Sequence, residues 1–205
     1  MADETDSIIS ITWQKQQVPE LLTQIGEWLE LRSSAEDAMQ YYEAALRVDP
    51  SYSFAAWKLG QMDLKNGEYN QAVLHLNRAS RLAPDHAPTY YLLSLAYSAT
   101  GQSSDALDAA ESALKYNTNN VGAFLQKLRS LAQLGRWQEL KNAHDASGFP
   151  PPVPNEAYLW YALASSHLND TDTARVLFGK VSPKTRRTHK DVVQALEAQT
   201  TRAAT

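Results

Sequence analysis

Small and apolar residues return along this chain at a fixed interval of 34 positions. Ala38, Ala72, Ala106 and Ala174 fall on one frame, with Leu140 in the fourth place. Ala45, Ala79 and Ala113 fall on a second, followed by Ser147 and Val181. Gly67, Gly101 and Gly135 form a third row, and Gly67-Glu68-Tyr69 shares its phase with Gly135-Arg136-Trp137. Val48-Asp49-Pro50 comes back as Leu82-Ala83-Pro84. Two helices cross closely only where the contact residues are small, so rows of Ala and Gly at constant spacing predict repeated close crossings. The glycine row permits a turn through positive φ, and the prolines stop a helix. Ser53, Asn120 and Asn155 stand where a helix of each unit would begin, and each is a good N-cap.

These rows resemble the tetratricopeptide repeat family. The resemblance covers residues 19–188 as five units: 19–52, 53–86, 87–120, 121–154 and 155–188. It implies an all-α fold, a right-handed α-solenoid of about five stacked hairpins of helices A and B with a C-terminal capping helix. In that frame Gly26, Gly60, Ser94 and Ala162 take the small position of helix A. The sequence also departs from the pattern. Asp63 takes a place usually apolar or Tyr, Lys127 one usually Leu, Ser33-Ser34 replaces the first turn glycine, and Thr118 replaces a helix-stopping Pro. In the fourth unit, helix B carries Leu140, His144 and Ser147 and is followed by Gly148 and Phe149-Pro150-Pro151-Pro152-Val153-Pro154. That run excludes a helix. It is either a stiff connector that keeps the phase or a ligand for a partner's aromatic groove.

The flanks are residues 1–18, an N-terminal arm, and 189–205, a cap helix and tail. Residues 1–7 read as disordered. Ile8, Ile9, Ile11 and Trp13 are too apolar for a free tail, and either cap the first unit or dock on a partner or another copy. At the far end Thr188 and Asp191 form a capping box ahead of the apolar stripe Val192, Val193 and Leu196. Stacked arrays need such a solvating end helix.

Composition narrows the function. The 205 residues include 19 basic and 23 acidic side chains, for a net charge of −4, and no cysteine. Thiol nucleophiles, disulfides and Cys-based metal sites are thereby excluded. No apolar run reaches the roughly 18 residues of a membrane span. The acidic start Met-Ala-Asp-Glu-Thr-Asp is unlike a secretory signal, so a cytoplasmic location is expected. Charge is split between the ends: residues 1–50 carry net −7 and residues 175–205 net +5. The split permits head-to-tail self-association through the termini. The basic cluster Lys184 to Lys190 has no interleaved aromatic platform, which disfavours nucleic acid. His75, His86, His144, His167 and His189 fall in different units with no metal-ligand spacing, and there is no Gly-rich phosphate loop and no Gly-x-Ser-x-Gly. The expectation is a protein without catalytic residues, cofactor or metal.

The resemblance also implies a binding surface, because in that family the second, fifth, sixth and ninth positions of helix A face a concave groove. Carried over residue by residue, these positions give an apolar and aromatic strip of Phe54, Trp57, Tyr91, Leu92, Leu95, Leu125 and Trp160. Lys58, Gln61, Gln126 and Arg129 flank it. Some relatives bind the acidic tails of heat-shock chaperones through a two-carboxylate clamp. The matching positions here, Thr23, Glu27, Lys58, Pro88 and Leu92 in the first frame, do not reproduce it. The expected partner is another protein, bound as a helix or extended peptide in a scaffold or adaptor role. The alternatives are a dedicated chaperone or assembly factor for a secreted or membrane-complex client, and a self-assembling structural protein. Part of the strip, Trp57 and Leu95 above all, is core if it packs between neighbouring A helices.

Overall fold

The computed structural model describes residues 2–32, 34–145 and 153–202, with side chains described over 17–32, 34–143 and 153–198. Among the described residues there are twelve helices and no strand. The repeat interval reappears in where helices start. Helices starting at Ser53, Ala87, Val121 and Asn155 are each 34 residues apart, as are those starting at Ala35, Tyr69, Ser103, Trp137 and Thr171. The packing assigned to Ile8, Ile9, Ile11 and Trp13, the side chain of His144, Ser147, and the proline run through Pro152 lie outside the described residues or side chains.

The unit Met1–Thr100 contains α1 (Ala2–Leu31), α2 (Ala35–Val48), α3 (Ser53–Asn66), α4 (Tyr69–Leu82) and α5 (Ala87–Ala99). Each helix packs on the next, and α3 also packs on α5. Its core is Ala38, Tyr42, Ala45, Ala55, Ala56, Leu59, Met62 and Ala79. The small positions are small because nothing else fits. A Cβ at Gly26 would lie 2.7 Å from the Tyr42 ring, and one at Gly60 would strike Leu76 Cγ. Gly67 ends α3 at φ 80°, with its amide returning to the carbonyls of Asp63 and Leu64.

α1 differs from the sequence reading. It is helical from Ala2, includes the residues expected to be disordered, and carries Pro19 inside. Pro19 forfeits one backbone hydrogen bond without ending the helix.

The unit Gly101–Thr205 contains α6 (Ser103–Tyr116), α7 (Val121–Gln133), α8 (Trp137–Asp145), α9 (Asn155–His167), α10 (Thr171–Gly179), α11 (Pro183–Thr188) and α12 (Lys190–Arg202). Leu128, Leu131, Leu140, Leu159, Tyr161, Leu177 and Leu196 centre its core, and α9 packs against α7, α8, α10 and α12. Asn169, at φ 60°, occupies the left-handed turn that Gly67, Gly101 and Gly135 hold elsewhere. Asn tolerates this conformation better than most side-chain-bearing residues do.

The expected caps hold at one of three places. Asn120 caps α7, its Oδ1 accepting from the Ala123 amide at 3.0 Å. Ser53 and Asn155 are instead the first residues of their helices. Asn155 is engaged elsewhere: its Nδ2 donates to the Lys180 carbonyl and its Oδ1 accepts from the Ser182 amide. The expected Thr188–Asp191 box is also absent, because the Thr188 hydroxyl donates back to the Thr185 carbonyl at the end of α11.

Candidate functional site

In the first unit the sequence-predicted residues stand on α3 and α5. Phe54 and Trp57 lie one turn apart on α3 and face the same way, with ring centroids 5.5 Å apart. Trp57 also meets the His86 imidazole edge-on at 5.4 Å. The His86 Nδ1 shares a 2.7 Å hydrogen bond with the Thr89 hydroxyl. Burial holds the imidazole below its ordinary value, against a smaller opposing pull from Asp85. These rings floor a pocket of about 120 Å³ lined by Ser53, Phe54, Trp57, Ala79, Ala83, His86 and Thr89. Trp57 is half-buried, and its indole Nε1 is buried without a hydrogen-bond partner. Gln61, Tyr91, Leu92 and Leu95 are half-buried too, the last three on the helix packed against α3.

Lys58 is not the flanking, ligand-facing cation expected from sequence. It is 8% exposed, and its ammonium lies 3.0 Å from Glu27 and 3.5 Å from Glu30 of α1. The same ammonium is 5.6 Å from the Phe54 ring, 5.7 Å from Trp57 and 5.8 Å from Tyr42. Burial, reinforced by the facing Glu30 and Glu27 carboxylates, pushes the Tyr42 phenol well above its usual range. Glu30 was missed in the sequence. Its signal is weak, since a glutamate one repeat upstream of a lysine is unremarkable until the helices are stacked.

In the second unit Leu125 is half-buried against the core, Gln126 is half-buried with a buried, unpartnered Oε1, and Arg129 is exposed. Trp160 corrects the expectation. At 5% exposed it is a core residue, packed with Leu196 of α12 in one cluster and edge-on to His189 at 5.9 Å. His189 in turn lies 3.2 Å from Glu156. α12 begins one residue past the position where the next helix A would start, and so covers the face that Trp160 would otherwise open.

One exposed patch was not singled out in the sequence. Val18, Leu21, Trp28 and Leu31 are exposed on α1, and the Arg32 guanidinium lies 4.1 Å over the Trp28 ring. The seven-residue step from Leu21 to Trp28 is the signal that could have found it. Among the described residues, no helix is long and apolar enough to cross a membrane, and no group of three metal-ligating side chains gathers.

Antiparallel helical hairpins repeating every 34 residues define a stacked-hairpin repeat protein. Residues 87–120 match the family model for the tetratricopeptide repeat. A tetratricopeptide repeat-containing protein of Bacillus subtilis (strain 168), YpiA, is 28% identical over 117 residues, which is 57% of this chain and 27% of that protein. Among solved structures, the crystal structure of YrrB, a repeat protein with an unusual peptide-binding site, superposes with a TM-score of 0.73 at 21% identity. The match covers 87% of this chain and 90% of that one. The crystal structure of the MamA protein gives 0.74 at 22% identity, covering 86% and 96%. Residues 87–120 thus match one tetratricopeptide repeat, and the chain has the all-helical solenoid fold of the repeat structures it superposes on.

Proposed function

We propose that this chain is a non-catalytic adaptor of the cytoplasm that binds an apolar or amphipathic segment of another protein along its A helices. The observation that carries this reading is the Phe54–Trp57 pair: two partly exposed aromatic rings over a pocket, one with a buried and unpartnered N–H. Such rings are the usual anchors of a protein interface. Tyr91, Leu92 and Leu95 extend the apolar surface in the first unit, with Gln61 beside them. In the unit Gly101–Thr205, taken by itself, Leu125, Gln126 and Arg129 are the corresponding candidates. The peptide-binding site of YrrB favours the same use of the fold. A chaperone or assembly factor for a secreted or membrane-complex client would use the same surface. The test is affinity capture from native lysate with wild type and the Trp57→Glu/Tyr91→Glu variant, with circular dichroism on both. Partners retained by wild type and lost by an equally helical variant support the reading. Equal capture by both removes it.

The exposed α1 patch favours a second reading, self-association. It predicts a mass that rises with concentration for wild type and stays monomeric for Leu21→Glu/Trp28→Glu in sedimentation equilibrium.

A further inference from the structure

We infer that the α1–α3 face of the first unit selects a cationic segment: an amphipathic helix carrying lysine or arginine beside its apolar anchors. The inference rests on the adaptor reading above and adds the charge of the ligand to it. Of the three elements at this face, two supply charged groups. α1 supplies Glu20, Glu27 and Glu30; α3 supplies Lys58, with Asp63 tied to His75 and Lys65 exposed in the last turn; α5 carries no charged residue from Ala87 to Ala99.

Lys58 touches both Glu27 and Glu30 but carries one positive charge for two carboxylates. The cluster is therefore left one negative charge in excess, on a face otherwise made of rings. Glu30 is mostly buried, while the Glu27 side chain is 44% exposed and open to a second partner. Half-desolvated carboxylates favour a partner that brings a cation, and repel one that brings an acid. Phe54 and Trp57, already within 6 Å of one ammonium, offer ring faces to another.

The test uses the full chain and three designed 18-residue amphipathic peptides that share one leucine face. Their polar faces are all Lys, all Gln or all Glu, and binding is read by fluorescence anisotropy at low and high salt. The expected order is Lys over Gln over Glu, with Lys binding about tenfold tighter than Glu at low salt and the gap narrowing at high salt. Glu27→Gln/Glu30→Gln should bring the three to within about threefold. Lys58→Gln, which frees both carboxylates, should bind the Lys peptide more tightly than wild type does. Equal binding of all three peptides, or a Lys preference unchanged in the double variant, overturns the charge inference and leaves the groove standing. Failure of every peptide to bind wild type overturns the groove as well.

Discussion

Asp63 and His75 form a pair across the hairpin of α3 and α4, with Oδ2 and Nδ1 2.6 Å apart. Asp63 is 3% exposed, at a position where the family usually places an apolar residue or Tyr. A buried carboxylate is tolerated only with a partner. His75 is that partner, three residues into the helix B register after Ala72. Its removal should therefore destabilise the chain through the carboxylate left behind, not through the lost imidazole. His75→Leu is expected to cost about 2 kcal/mol, in the range for a stranded buried polar group. Asp63→Leu/His75→Leu should recover most of that, since replacing both partners strands nothing. Urea unfolding of the two singles and the double closes the cycle, and additive losses would show that the pair is not coupled.

The crossing of α3 and α4 gives a second test. A methyl at Gly60 must displace Leu76, which is fully buried and has no free space to move into. Gly60→Ala should cost about 1–3 kcal/mol, as overpacking of a tight core does. Gly179→Ala, at a helical glycine with nothing within 4 Å, should cost nothing measurable or stabilise slightly. Equal effects at the two sites would mean that the small-residue row reflects helix propensity, not the approach of the backbones.

Asn169 explains how one turn keeps its shape without the glycine found at the equivalent place in other repeats. Its φ of 60° is left-handed; its own amide donates to the Ser166 carbonyl and the Asp170 amide to that of Ser165, just as the Gly67 and Glu68 amides donate to Leu64 and Asp63. Asn169→Gly should therefore be neutral or slightly stabilising. Asn169→Ala should lose about 1 kcal/mol, because alanine gains nothing from the turn and meets the left-handed penalty. Thermal unfolding distinguishes them, and a stable Asn169→Ala would show that the turn can relax out of the left-handed region.

What was legible in the chain follows from these cases. The Ala and Gly rows were visible because close helix crossings allow few residue types, so the interval survives in sequence and reappears in the helix starts. Asn120 was legible as a cap because nothing else competes for its side chain. Ser53 and Asn155 were each placed one residue out, since cap chemistry reads the same at the cap and at the first helical position. Trp160 was assigned to a binding strip because a repeat phase says which way a side chain points, but not what packs there next. The cover comes from α12, whose own pattern of Val192, Val193 and Leu196 announced a helix but not its seat. Lys58 was read as free for a similar reason. Its neutralising partners Glu27 and Glu30 lie one repeat upstream, and only the stacking of α1 on the following hairpin brings them together.

The last prediction concerns pH. Burial holds the imidazoles of both His86 and His167 below the ordinary value, His86 against Trp57 and His167 stacked on Trp137 at 3.8 Å. In the unfolded chain each titrates near pH 6.5. Over the window just below that value the unfolded state binds more protons than the folded one. Stability is then fully present above about pH 6.5, falls as pH drops through it, and levels once the folded imidazoles also protonate. Asp49, held low chiefly by the Ser51 hydroxyl, and Asp170, held low chiefly by Lys141, act in the same direction only as pH falls through the carboxylate range near 4. The two ranges are therefore separable. Urea midpoints at pH 7.5 and 5.5 should fall for wild type, fall less for His86→Asn or His167→Asn, and fall least for the double variant. A double variant with the wild-type slope between those pH values would assign the loss to other groups. If His86→Asn alone removes its share of the loss, the imidazole beside Trp57 is one of those that burial holds low in the folded chain.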